Sequence, residues 1–324
     1  MDKRERLQAT LKGEAVDRVA VSLWRHFPVD DQRPESLAAA TLEFQSLYDF
    51  DFVKVTPASS FCLRDWGAAD VWRGEPEGTR QYTGRVVRHP DDWLTLKPLN
   101  PNAGALGSQL RALELIRAGL PGDTPFIQTI FSPLSQARNL VGAELLPVHV
   151  RRHPGQLKAA LAVIAETTAQ FVQAARRAGI DGIFYAVQMA STRAFSEAEY
   201  REFGEPFDRQ VLAAAGGLWL NVAHLHGDDV MFDLVAGYPV QILNWHDRET
   251  PPILAEGLRK FPGAACGGWR QWETMVRGTP ETVAAEALDA ISQTGGRRLI
   301  LGTGCVTPTT APRANLRAAR QGAV

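Results

Sequence analysis

Cysteine is scarce in this chain: its 324 residues hold three, Cys62, Cys266 and Cys305. An odd, widely spaced set excludes a disulfide framework and points to a reducing compartment, so a cytoplasmic protein is expected. Long apolar runs are also missing, and nothing approaches the ~20 consecutive apolar residues of a membrane-spanning helix. The opening segment, MDKRERLQATLKGEAVDR, is charged and amphipathic, so neither a secretory signal nor a membrane span is expected there. Neither sign of charge dominates. Lys plus Arg number 35 against 36 Asp plus Glu, a net charge of -1, which removes the electrostatic case for nucleic acid or an anionic membrane. Small molecules are the expected partners. No repeat, low-complexity tract or linker divides the chain, and one domain over residues 1–324 is expected.

What is present is the composition of a folded globular protein, 45% hydrophobic and 22% charged. Apolar runs of strand length alternate with segments of helical period. The strand candidates are eight: 19–24, 52–55, 125–131, 182–188, 218–226, 240–246, 263–268 and 297–305. Continuous apolar runs separated by helices are what a parallel sheet buried on both faces requires. Eight such units predict an α/β fold, a single (β/α)8 TIM-type barrel. Residues 153–178 read as a long amphipathic helix ending at Gly179. In GTPETVAAEALDAISQTGG, Thr279 is the N-cap, Pro280 the first helical residue and Gly295-Gly296 the stop. Between 62 and 103 turn signals and short alternating pieces predict a β-hairpin insertion after the second strand, forming a lid or a pocket wall.

In such a barrel the reacting groups stand at the C-terminal ends of the strands. Those ends carry Arg25 and His26, Gln188, His224 and His226, Asn244, His246 and Asp247, and Cys305. Residues at i and i+2 of a strand share a face, so His224 and His226 present two imidazoles side by side. With Cys305 from the last strand they make a nitrogen and sulfur donor set for zinc, with a fourth position left open. The competing reading is two histidines bonded to backbone carbonyls and a cysteine acting as a small buried hydrophobe. Asp228 or Asp229 is expected to accept the second imidazole N–H. Arg25 is read as a cation gripping an anionic substrate group, against an ion pair with Asp247 or Asp51. His26 and His246 are candidates for acid–base work or for ordinary hydrogen bonding. Cys266-Gly267-Gly268 reads as a tight turn, against a backbone anion nest.

The segments RERLQATLKGEAVDRVAVSLWRHF, AGIDGIFYAVQ, HLHGDD, YPVQILNWHDR and LGTGCVTPTTAPRANLRAA resemble the uroporphyrinogen decarboxylase superfamily over nearly the whole chain. That group includes the decarboxylases and the zinc-dependent methylcobamide:thiol methyltransferases, all α/β barrels. Against the decarboxylases, Arg25 corresponds to an arginine that grips carboxylates. Lys54 falls near the aspartate that contacts the pyrrole N–H groups, Asn139 near a tyrosine, Gln188 near a serine and Thr303 near a histidine. The methyltransferases' zinc ligands map onto His224, His226 and Cys305, with His226 in place of a cysteine. That exchange removes one negative charge from the ligand set and makes the metal a stronger Lewis acid. The resemblance implies a zinc-dependent enzyme moving a methyl group from a corrinoid to a thiol or other nucleophile. Arg25 and His246 would be catalytic, and Arg25, His26, Gln188, Asn244 and Asp247 would bind substrate. A corrinoid protein as partner and a homodimer are further expectations. The alternatives are a metal-free decarboxylase of uroporphyrinogen or a related pyrrolic acid, and a non-catalytic corrinoid or tetrapyrrole binder.

Overall fold

The computed structural model describes residues 1–322. Ten strands form in chain order: β1 Ala20–Val21, β2 Val53–Val55, β3 Ala69–Val71, β4 Gln81–Gly84, β5 Phe126–Phe131, β6 Gly182–Val187, β7 Val222–Leu225, β8 Ile242–Asn244, β9 Ala264–Trp269 and β10 Leu299–Thr303. Eight of them make one parallel sheet, ordered β1-β10-β9-β8-β7-β6-β5-β2. The two ends of that order meet through the Asp51 amide on the Val21 carbonyl (2.8 Å) and the Ser22 hydroxyl on the Phe52 carbonyl (2.9 Å). The result is the (β/α)8 barrel expected; seven of the eight sequence runs contain one of its strands, and the run 263–268 holds all of β9 but Trp269. β3 and β4 pair antiparallel as the hairpin inserted after β2.

Side-chain alternation divides the core into two. Ala20, Trp24, Phe52, Ile127, Phe184, Val222, Ile242, Cys266 and Ile300 fill the barrel interior, while the residues between them pack against the helices. Trp24 meets Phe184 edge to face at 5.2 Å and lies 6.3 Å from Phe52, and each buried ring of this size contributes roughly 1.5–3 kcal/mol. These rings plug the barrel below its polar mouth. Helix Pro154–Arg177 is the long amphipathic one expected; helix Pro280–Thr294 is capped by Thr279 and stops at Gly295 in the left-handed region. Among the glycines demanded by close approach, two lie at the end of β10. A Cβ on Gly302 would lie 2.8 Å from Cys266 Sγ, and one on Gly304 would lie 2.6 Å from His246 Cα. No helix among the described residues is long and apolar enough to cross a membrane.

Candidate metal centre

β7 carries Val222 and His224 inward, and the same phase continued one step past the strand brings in His226. β10 ends at Thr303, and the tight Gly304 turn, pressed against His246, delivers Cys305 beside them. One donor atom each from His224, His226 and Cys305 lies within 4.8 Å of the others. The Cys305 Sγ to His226 Nδ1 distance is 3.6 Å. Donors around a tetrahedral zinc, with bonds of about 2.1 Å to nitrogen and 2.3 Å to sulfur, are about 3.6 Å apart, so this edge fits the ion.

The tautomer of His224 follows from its neighbours. Asn244 is fully buried; its Nδ2 donates to the Cys266 carbonyl at 2.8 Å and the Thr303 carbonyl at 3.0 Å. Its Oδ1 therefore faces His224 Nδ1, 2.7 Å away, and accepts that N–H. The lone pair of His224 is then on Nε2, the orientation that an amide behind a metal-bound imidazole imposes.

His246 completes the group. Its ring centre lies 5.5 Å from that of His226, and its Nδ1 lies 3.0 Å from Glu249 Oε2. Its Nε2 is buried with no hydrogen-bond partner among the described residues. Burial opposes ionisation of the Cys305 thiol, but His224, His226 and His246 outweigh it and hold the pKa well below the ordinary value. Burial lowers the pKa of His224. For His226 burial is outweighed by Cys305, and for His246 by Cys305 and Glu249, which lift the latter to about 10. The three rings around Cys305 thus favour its thiolate, the form in which a cysteine binds metal.

The cavity in front of it, about 80 Å³, is walled by Trp24, Phe131 and Phe184 and by the polar groups of His26, Lys54, Glu77 and Gln188. Lys54 points inward from β2, with Nζ 4.4 Å from the Phe184 ring centre and 3.3 Å from Thr56 Oγ1. Burial brings its pKa down to about 7. Glu77 reaches over the mouth from the hairpin insertion, where Gln271 Nε2 and Trp272 Nε1 donate to it at 2.5 and 3.2 Å.

The structure thus brings together His224, His226, Cys305, His246, His26 and Gln188. Three residues expected with them face elsewhere. Arg25 follows inward-facing Trp24, so the two-residue period turns it out against Phe27 and Phe44, into a separate cavity beneath helix Pro34–Tyr48. It pairs with neither Asp247 nor Asp51, since Asp51 binds Arg6 and Arg18. Asp247 follows inward-facing His246 and is turned out likewise, its Oδ1 accepting the Gly268 amide at 3.1 Å. Asn244 lies behind His224 and touches no cavity in front of the centre. Asp228 and Asp229 hold Arg193 rather than an imidazole, and Cys266-Gly267-Gly268 lies within β9 rather than in a turn. Lys54 and Glu77 were not singled out by the strand-end pattern; Lys54, a charge in an apolar run, was the available signal.

A sequence model of the family described as uroporphyrinogen decarboxylase (URO-D) matches residues 2–321. Uroporphyrinogen decarboxylases of Rhodococcus opacus (strain B4) and Rhodococcus jostii (strain RHA1) are each 34% identical over 142 residues. That stretch is 42% of this chain and only 39% of either relative. Among solved structures, a methyltransferase from Methanosarcina mazei superposes with a TM-score of 0.87 at 20% identity, covering 99% of this chain and 98% of the other. A B12-independent methionine synthase from Shewanella sp. W3-18-1 gives 0.59 at 15% identity, covering 94% and 92%. At these identities the likeness is one of fold.

Proposed function

The chain belongs to the uroporphyrinogen decarboxylase family, and within it we propose that this protein is a zinc-dependent methyltransferase-like enzyme, moving a methyl group from a corrinoid to a thiol or other nucleophile. The observation that carries the proposal is the convergence of His224, His226 and Cys305, with donor atoms within 4.8 Å of one another and the Cys305–His226 edge, at 3.6 Å, matching tetrahedral zinc. His224, His226 and Cys305 would hold the zinc, which would supply Lewis acidity that favours the deprotonated acceptor. The protein's own groups do the rest. Asn244 fixes the His224 ring so that Nε2 faces the centre. His246, tied to Glu249, holds a proton-bearing imidazole against the acceptor position, placed to donate a hydrogen bond to the acceptor once its own proton has left to solvent. Glu77 and the hairpin cover the mouth and exclude water, while Trp24, Phe131 and Phe184 give an apolar wall for the transferred methyl. His26 and Gln188 line the approach.

The test is demethylation of methylcobalamin by a panel of thiols, followed in the visible spectrum, with zinc-loaded protein and with protein stripped by chelator. Zinc-dependent loss of the methylcobalamin band supports the reading; no demethylation by any nucleophile in the panel contradicts it.

The partial identity to the Rhodococcus decarboxylases favours a second reading, metal-free decarboxylation of uroporphyrinogen. Against it stands Lys54, which offers donors inside the barrel where the pyrrole N–H groups need an acceptor. Formation of coproporphyrinogen without metal would decide for this second reading.

A further inference from the structure

A larger cavity, about 410 Å³, opens beside the one in front of the centre, and His26, Thr79, Phe131 and Gln188 line both. Three guanidinium groups face it. Arg80 is neutralised, lying 3.4 Å from Asp31 and 3.1 Å from Asp70. The other two are not. Arg85, just past β4, donates Nη1 to the Asn139 carbonyl at 2.6 Å and lies over the Tyr82 ring, 5.2 Å from its centre. Arg138, on helix Pro133–Val141, reaches only Asn139 Oδ1, at 3.4 Å. Among the described residues neither forms an ion pair, and no carboxylate lines this cavity.

Five N–H donors on each guanidinium leave most of them free, and the Tyr82 face and the Asn139 carbonyl hold the Arg85 plane in place. Burial lowers the pKa of Arg85, and the charge of Arg138 lowers it further. Two like charges in one half-enclosed space repel each other until an anion lies between them. A fork of this kind matches the paired oxygens of an oxyanion, and such charge-assisted bonds are among the strongest polar contacts available.

We propose that Arg85 and Arg138 form an anion subsite for the carboxylate, sulfonate or phosphate tail of an organic substrate whose reacting end lies at His224, His226 and Cys305. The metal reading is needed only for what the reacting end does; the subsite itself stands on the two arginines. The shared wall of His26 and Gln188 makes the ligand an elongated molecule, anionic at one end and nucleophilic or methyl-bearing at the other. The hairpin insertion supplies one of the two arginines and thereby acts as a selector of substrate charge as well as a lid.

Inorganic phosphate is the probe, titrated calorimetrically into the full chain, with zinc content measured on the same samples. Phosphate is expected to bind the wild type and to bind at least about tenfold more weakly to Arg85→Gln and to Arg138→Gln. Cys305→Ala is expected to lose zinc but to keep phosphate binding, which separates the subsite from phosphate attached to the metal. Arg138 makes only one long contact, so Arg138→Gln remains decisive if Arg85→Gln fails to fold. No phosphate binding by the wild type, undiminished binding by folded Arg138→Gln, or loss of binding in Cys305→Ala would overturn the subsite. Zinc retained without phosphate binding removes the subsite and leaves the metal reading; phosphate bound without zinc does the reverse.

Discussion

Replacing Asn244 with alanine removes three hydrogen bonds at once: from its Nδ2 to the carbonyls of Cys266 and Thr303, and to its Oδ1 from His224 Nδ1. All of these groups are buried, and an unsatisfied buried partner costs about 1–3 kcal/mol. With partial relaxation, the expected loss of stability is about 3 kcal/mol, read as a lowered urea midpoint. The loss at the metal is separate. With Asn244 gone, His224 is free to rotate or change tautomer, and removing such a partner behind a ligating histidine weakens metal binding about 10–100-fold. Competition against a chromogenic chelator measures that affinity directly. Asn244→Asp separates the two effects, because it keeps an acceptor for His224 but turns a carboxylate oxygen toward two carbonyls. It is expected to hold zinc more tightly than Asn244→Ala while being no more stable. Wild-type zinc affinity in folded Asn244→Ala would refute the assignment of His224 Nε2 as a ligand.

Gly304→Ala places a Cβ 2.6 Å from the His246 backbone; the turn must move, and zinc affinity is expected to fall even though no donor is lost. Asp208 is buried with its carboxylate accepting from Tyr185, Tyr200 and Tyr238 at 2.6, 2.6 and 2.7 Å, and burial raises its pKa to about 6. The native state therefore holds its proton at a higher pH than the unfolded chain does. Asp208 contributes stability that is full below about pH 4 and is lost as pH rises through 6, and this part of the pH dependence of melting should vanish in Asp208→Asn. Lys54 has the opposite sign. Burial lowers its pKa to about 7, so stability is lost as pH falls from the ordinary lysine range toward 7. Lys54→Met is expected to be at least as stable as wild type at pH 7 by thermal melting and to lose that slope.

The barrel was legible in the sequence because each strand is a continuous apolar run between helices of clear period. The pair His224 and His226 was legible because the two-residue strand period needs no knowledge of the rest of the chain. Which way a given strand end faces was not. VAVSLWRHF is apolar at both phases, so nothing in it says whether Trp24 or Arg25 lies inside; pairing of Ala20 with Ile300 in the closed sheet sets that phase. The same uncertainty hid the outward turn of Asp247. The partner behind His224 came from the next strand, Asn244, rather than from the adjacent aspartates, because register across the barrel brings His224 level with Asn244. Arg85 and Arg138 lie 53 positions apart in the sequence, one beyond a short irregular hairpin strand and one on a helix, with no local periodicity to join them.

X-ray absorption at the zinc edge of the purified wild-type protein, with metal content measured on the same sample, addresses the centre most directly. One zinc per chain is predicted, with one sulfur neighbour at about 2.3 Å and nitrogen neighbours at about 2.0–2.1 Å, the sulfur disappearing in Cys305→Ala. A protein that holds no stoichiometric zinc when supplied with it, or a zinc shell without sulfur, would contradict the account.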